Sequence, residues 1–183
     1  GAIIRGIVRA GEPVPGGDMV SGVEVVDCSG KAAVPGFVNM HTHAAMSLMR
    51  GVGEDLVFSD WIDRIWDVES KIDEEAVYWG TKVACVEMLK TGTTTFNDHY
   101  WFPEAGQLAA AEMGLRPVSS YVAIDRNDPD EAEREKEQIQ KMYERSLSWP
   151  GLSTFAAGFH AIYSVTEDMI VWTSEFAKKH GLK

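Results

Sequence analysis

Val34-Pro35-Gly36-Phe37-Val38-Asn39-Met40-His41-Thr42-His43 joins a Pro-Gly turn, a short apolar run and two histidines spaced i, i+2. The turn punctuates the chain, and Phe37 to His41 after it reads as a short strand. Along a strand, side chains i and i+2 share a face, so the imidazoles of His41 and His43 project together. Two neutral imidazoles so placed are a platform for a borderline divalent cation such as Zn2+, Fe2+ or Mn2+. They also stand at the C-terminal end of a strand, where active sites of parallel α/β folds lie. The plain alternative is two polar residues leaving a strand for a loop.

Downstream the pattern alternates strand and helix. Ile72 to Lys90 carries apolar residues at helical spacing, with Asp73 as N-cap, Glu74 and Glu75 at the positive end of the dipole, and Gly92 as stop. Thr93 to Phe96 is β-branched and short, hence a strand. Pro103 opens a second helix that Gly114 ends, and Arg116 to Ala123 is the next strand. Asp128-Pro129-Asp130-Glu131 starts a charged helix to about Ser146, whose Glu, Lys and Arg run reads as a solvated face. Ser153 to His160 is a fourth strand, and Thr166 caps a helix to Lys179. Repeated βα units imply a parallel sheet with right-handed crossovers. Periodicity alone leaves open a doubly wound sheet or part of a (β/α)8 barrel.

Upstream, residues 1–36 hold apolar pieces (Ile3-Ile4, Ile7-Val8, Val23 to Val26, Ala32 to Val34) between Pro- and Gly-rich turns. They read as short antiparallel strands, too few to bury a core alone. The expected division is therefore 1–36 and 37–183. At 183 residues, 45% apolar and 25% charged, the composition is that of an ordered globular protein. A net charge of −11 argues against a nucleic-acid backbone or an anionic membrane as partner. No apolar run approaches the ~18 residues of a membrane span, and Arg5-Gly6 breaks the first apolar stretch, so no signal peptide or anchor is expected. Cys28 and Cys85 lack CxxC spacing and cannot form a disulfide framework, so the cytoplasm is the expected compartment.

The ordered motifs resemble the amidohydrolase superfamily. Pro35 to His43 matches its PGxxNxHxH signature. Met46 to Gly51, Trp61-Ile62, Val68-Glu69 and Glu87 to Phe96 resemble the branch of S-adenosylhomocysteine and methylthioadenosine deaminases with their chlorohydrolase and guanine-deaminase relatives. Ala157 to Ser164 resembles that branch's APHAxYT-type segment, with Phe159 where proline is usual.

The resemblance implies a metal-dependent hydrolase on a distorted (β/α)8 barrel, its first four βα units present here, with part of a small β-sandwich at the N-terminus. It implies that His41 and His43 hold one divalent metal, zinc first, which lowers the pKa of a bound water to give hydroxide. The hydroxide attacks an amino-bearing ring carbon and ammonia leaves. Glu69 matches a residue that holds ribose hydroxyls, and a carboxylate suits a vicinal diol. His160 matches a substrate-contacting histidine, and Trp61 a ligand-packing aromatic, one residue closer to Glu69 than the pattern has it. Asp98 and His99, after the second strand, are candidates to support the metal site from behind.

The implied substrate is an adenosine-type nucleoside: methylthioadenosine, S-adenosylhomocysteine, 5′-deoxyadenosine or adenosine. Relatives acting on S-adenosylhomocysteine place arginines after the third strand, whereas Tyr121 stands here and Arg126 and Arg134 align loosely. The adenosine half is thus better supported than the homocysteine half. Alternatives are a chlorohydrolase or a guanine or cytosine deaminase acting on a heterocyclic amine, or a non-catalytic half-barrel that binds ligands or dimerises. A homo-oligomer fits either view. The family's remaining metal ligands and proton-transfer groups are expected beyond Lys183, so the reading is of the N-terminal half of an enzyme, inactive alone.

Overall fold

The computed structural model describes residues 4, 6–9, 12–13, 24 and 26–183. The chain divides into two compact units, Gly1–Pro35 and Gly36–Lys183. In the first, the described residues include a turn at Ser29-Gly30: Lys31 N–H donates to the Cys28 carbonyl at 2.9 Å, and Ser29 Oγ donates to Asp27 Oδ1 at 2.6 Å. None of them, Ala32 to Val34 included, is in a strand. Ile3, Val23 and Val25 lie outside the described residues, and with them parts of two expected strands.

The second unit is built on four strands, β1 (Phe37–Thr42), β2 (Thr93–His99), β3 (Arg116–Ser120) and β4 (Thr154–Phe155). They pair in parallel in the order β1-β2-β3-β4. Strand order follows chain order with no reversal, which is the barrel pattern rather than the doubly wound one. The helices are α1 (Phe58–Glu69), α2 (Glu74–Thr91), α3 (Pro103–Glu112), α4 (Pro129–Ser146) and α5 (Glu167–His180), with a 3-10 turn at Ala44–Met49.

The caps read from the sequence are made. Asp73 accepts the Ala76 N–H at 2.9 Å, Asp128 accepts the Asp130 N–H at 2.9 Å, and Thr166 accepts the Met169 N–H at 3.2 Å. Gly92 ends α2 in the left-handed region at φ 85°. Gly80 has a separate task. A Cβ there would lie 2.5 Å from the Ala45 carbonyl oxygen, so only glycine lets the 3-10 turn rest on α2.

Three expectations need correction. The amphipathic helix α1 was not foreseen: it starts at Val57 without a side-chain cap, so the usual start signal is missing. Glu69 is its last residue. β2 runs on to His99, so Asp98 and His99 are its last residues rather than loop residues after it. β3 and β4 are shorter than Arg116–Ala123 and Ser153–His160. Beyond Phe155 the ladder thins to separate bonds, Ala156 N–H to Ser119 O at 2.9 Å and His160 N–H to Ala123 O at 3.0 Å.

The core lies between sheet and helices. Phe96 is buried against Ala84, Cys85, Ala110 and Leu115, and Ile139, Met169 and Phe176 bury the inner faces of α4 and α5. Each such side chain contributes about 1.5–3 kcal/mol by leaving water. Ile65 and Val77 join α1 to α2 under Tyr100. Among the described residues no helix is long and apolar enough to cross a membrane.

Candidate active site

β1 carries His41 near its end, and His43 is the first residue beyond it. The rings of His41 and His43 lie 5.0 Å apart between centroids at 80°. His43 Nδ1 stands 2.5 Å from the His99 carbonyl oxygen. A carbonyl only accepts, so Nδ1 carries the proton and Nε2 keeps its lone pair for a metal or a donor. His41 is exposed, on a strand with one neighbour. The two imidazoles fit two positions of a tetrahedral nitrogen-rich site. Among the described residues, no group of three or more His, Cys, Asp or Glu side chains is placed to hold a metal ion.

Asp98 works on the backbone, not on the imidazoles. Alternation along β2 turns it away from the face of His99. Only 5% exposed, it accepts the Ala44 N–H at 2.8 Å and pins the chain directly after His43. Burial pushes its carboxyl up to about 7, against the pull of the Ala44 and His99 backbone N–H groups.

His99 faces the site. Its Nδ1 meets Ser120 Oγ at 2.6 Å, and its Nε2 is buried without a partner. Burial, then the neighbouring imidazoles of His43, His160 and His41, push it down to about 4, so it is neutral at pH 7. Its ring lies 6.4 Å from that of His160, nearly parallel at 25°. His160 Nδ1 meets Ser164 Oγ at 2.9 Å, and that hydroxyl donates to the Ala161 carbonyl. The single hydroxyl proton being spent, His160 Nδ1 is the donor and its Nε2 is left as an acceptor. Burial, then the imidazole of His43, lower its pKa, while Glu69 pulls the other way.

Glu69, at the end of α1, accepts the indole N–H of Trp101 at 3.3 Å. Its carboxylate also acts on Tyr100, whose phenol is raised first by burial and then by hydrogen bonding to Glu69. Trp61 stacks on Phe58, centroids 5.9 Å apart.

His43, Trp61, Glu69, His99 and His160 all line one small cavity of about 80 Å³, together with Trp66, Tyr100 and Trp101. It adjoins a cavity of about 610 Å³ bounded by Trp66, Glu69, Trp101, Ile124, Arg126, His160 and Tyr163. That volume suits a small organic ligand. His41 and Asp98 line neither. Sequence reasoning missed Tyr100, Trp101 and Ile124. The first two follow the end of β2, and the rule that barrel sites gather at strand ends could have found them.

A parallel sheet in chain order with its polar residues at the C-terminal strand ends is the arrangement of a barrel-type enzyme scaffold, and residues 32–183 match the family model of the Amidohydrolase family. The chain belongs to that family. It is 44% identical over 165 residues to a 5-methylthioadenosine/S-adenosylhomocysteine deaminase of Archaeoglobus fulgidus, covering 90% of this chain and 39% of the relative. It is 40% identical over 166 residues to the 5′-deoxyadenosine deaminase of Methanocaldococcus jannaschii, covering 89% and 39%. The zinc-bound crystal structure of an adenosine deaminase from Xanthomonas campestris superposes with a TM-score of 0.70 at 32% identity, over 81% of this chain and 34% of that one. The fold is thus the first four βα units of a (β/α)8 barrel. The chain spans about two fifths of the length of the curated relatives it matches.

Proposed function

We propose that this chain supplies the nucleoside-holding half of a metal-dependent amidohydrolase that deaminates an adenosine-type nucleoside by hydrolysis. The observation that carries the reading is Glu69: a carboxylate held by an indole at the edge of an aromatic-walled cavity, with the free Nε2 of His160 across it. A carboxylate so placed accepts two hydrogen bonds from a ribose diol, while His160 offers an acceptor to an N–H of the base. Trp61 closes the inner end of the cavity. His41 and His43 would hold the divalent cation, zinc first, and Asp98 keeps the backbone beside them in place. When bound, such a cation supplies Lewis-acid activation of water. The relatives named for methylthioadenosine, S-adenosylhomocysteine and 5′-deoxyadenosine support this choice of substrate class.

A neutral 5′ substituent suits the surroundings better than one ending in a carboxylate. The cavity beyond Trp101 and Ile124 is lined by Asp125, Asp128, Glu131 and Glu135, with the guanidinium of Arg126 in its wall and that of Arg134 paired to Glu131, so acid is in excess. Like charge close by disfavours an anion. Methylthioadenosine, 5′-deoxyadenosine and adenosine thus come before S-adenosylhomocysteine. Both cysteines are free thiols, which fits the cytoplasm. The test is ammonia release by the parent enzyme to which this half would belong, from these four nucleosides, set against guanine, cytosine and triazines. The reading expects release from the neutral nucleosides first; release only from guanine, cytosine or a triazine would overturn it.

A further inference from the structure

Trp101 has no assigned role, yet it is the one side chain shared by four adjoining cavities. It borders the 80 Å³ and 610 Å³ cavities of the site. It also borders the acidic cavity beyond Ile124 and a fourth beside Pro103 and Arg145. Its half-buried side chain packs on the cluster that holds Ile65, Val77 and Tyr100. Its indole N–H reaches across 32 positions of sequence to Glu69 Oε2. The next residue, Phe102, sits in the left-handed region at φ 48° and ψ 55°, directly before Pro103 opens α3. A bulky side chain rarely adopts that conformation, and where it persists the surroundings hold it. Trp101 thus stands between the end of β2 and the start of α3, its indole held by Glu69 and its ring by the cluster under it.

We propose that Trp101 is a positioning residue: its indole N–H aligns the Glu69 carboxylate for a ligand's vicinal diol, and its ring forms the wall dividing the nucleoside cavity from its acidic neighbour. This rests on the nucleoside reading above. A glutamate at a helix end, half exposed, samples several rotamers, and each one lost on binding weakens the complex. The indole bond removes that loss in advance. It occupies one lone-pair site of Oε2, the Tyr100 phenol takes a second site of the carboxylate, and the others stay available to the cavity.

The test compares adenosine with 2′,3′-dideoxyadenosine, which lacks the diol, by calorimetric binding to the protein. Trp101→Phe keeps the ring and removes the N–H. It is expected to weaken adenosine about tenfold, the scale of a hydrogen bond to a charged group, and to leave the dideoxynucleoside within about twofold. Glu69→Ala should abolish the discrimination, and adding Trp101→Phe to it should cost nothing more. Equal weakening of both ligands by Trp101→Phe, or an unchanged ratio, overturns the proposal while the nucleoside reading stands. A parent protein that binds neither nucleoside, or both equally, overturns the nucleoside reading and this one with it. If Trp101→Phe is unfolded, the indole N–H resonance of Trp101 decides: Glu69→Ala should move it and Glu74→Ala should not, and an unmoved resonance overturns the proposal.

Discussion

Replacing Asp98 with asparagine should make the protein more stable, and increasingly so as pH rises. Asp98 Oδ1 accepts the Ala44 N–H, and an asparagine oxygen can do the same. What asparagine removes is the titration. In the fold the carboxyl keeps its proton up to about 7, against an ordinary value of 3.8. Between those limits the folded state holds a proton that the unfolded chain has lost, so stability falls with rising pH by up to about 1.4 kcal/mol per unit. His99 works in the opposite sense. Its folded value is about 4 against 6.5, so the unfolded chain holds the extra proton and stability rises with pH over that window. The two neighbours on β2 nearly cancel in the parent protein, and only the difference between variant and parent isolates Asp98. That difference should grow by about 2–3 kcal/mol from pH 5 to pH 8. Urea unfolding followed by tryptophan fluorescence at four pH values and fixed ionic strength reads it. A difference that stays constant across the range would refute the reasoning.

Gly80→Ala inside α2 should lower the melting temperature, although the same change in an open helix position stabilises by about 0.5–1 kcal/mol. The new Cβ would meet the Ala45 carbonyl oxygen at 2.5 Å and its Cα at 2.9 Å, an overpacking cost of about 1–3 kcal/mol; an unchanged or higher melting temperature would contradict that contact. Asp125→Ala should cost about 3 kcal/mol in urea unfolding, because the fully buried carboxylate accepts from Thr166 N–H, Thr166 Oγ1 and Asn127 N–H, and these donors would be stranded. A loss under about 0.5 kcal/mol would mean that water replaces it. With two imidazoles and no third ligand among the described residues, the 183-residue chain should retain well under one zinc per chain after chelator treatment, read by atomic emission. Stoichiometric, chelator-resistant zinc would refute the two-ligand account.

What was legible in the sequence was what local chemistry determines. Asp73, Asp128 and Thr166 announce helix starts because a cap needs only its own next turn. Gly92 announces an end because few other residues accept its φ. That His41 and His43 are close neighbours could be read from their spacing of two at a strand's end, and their rings lie 5.0 Å apart. The misses depend on distant partners. α1 has no capping side chain, and the apolar face carrying Trp61 and Ile65 makes sense only against Met49 and Val77. Tyr121 to Ala123 is apolar enough for a strand, yet a ladder needs a partner, and the chain after Phe155 offers only separate bonds. Asp98 looked like a neighbour of the metal platform, and only the opposite facing of adjacent strand residues sends it to Ala44 instead. Trp101 owes its place to Glu69, a contact with no signature in either segment.

The strand order β1-β2-β3-β4 also has a consequence in time. Each strand pairs with the one made just before it, so on the ribosome every new strand meets an edge already present. The site would then be laid down in a sequence: first the histidine pair, then Glu69, then the His99 carbonyl that sets the tautomer of His43 together with the indole that aligns Glu69, and last His160. By that schedule the carboxylate is aligned before His160, on another wall of its cavity, is synthesised.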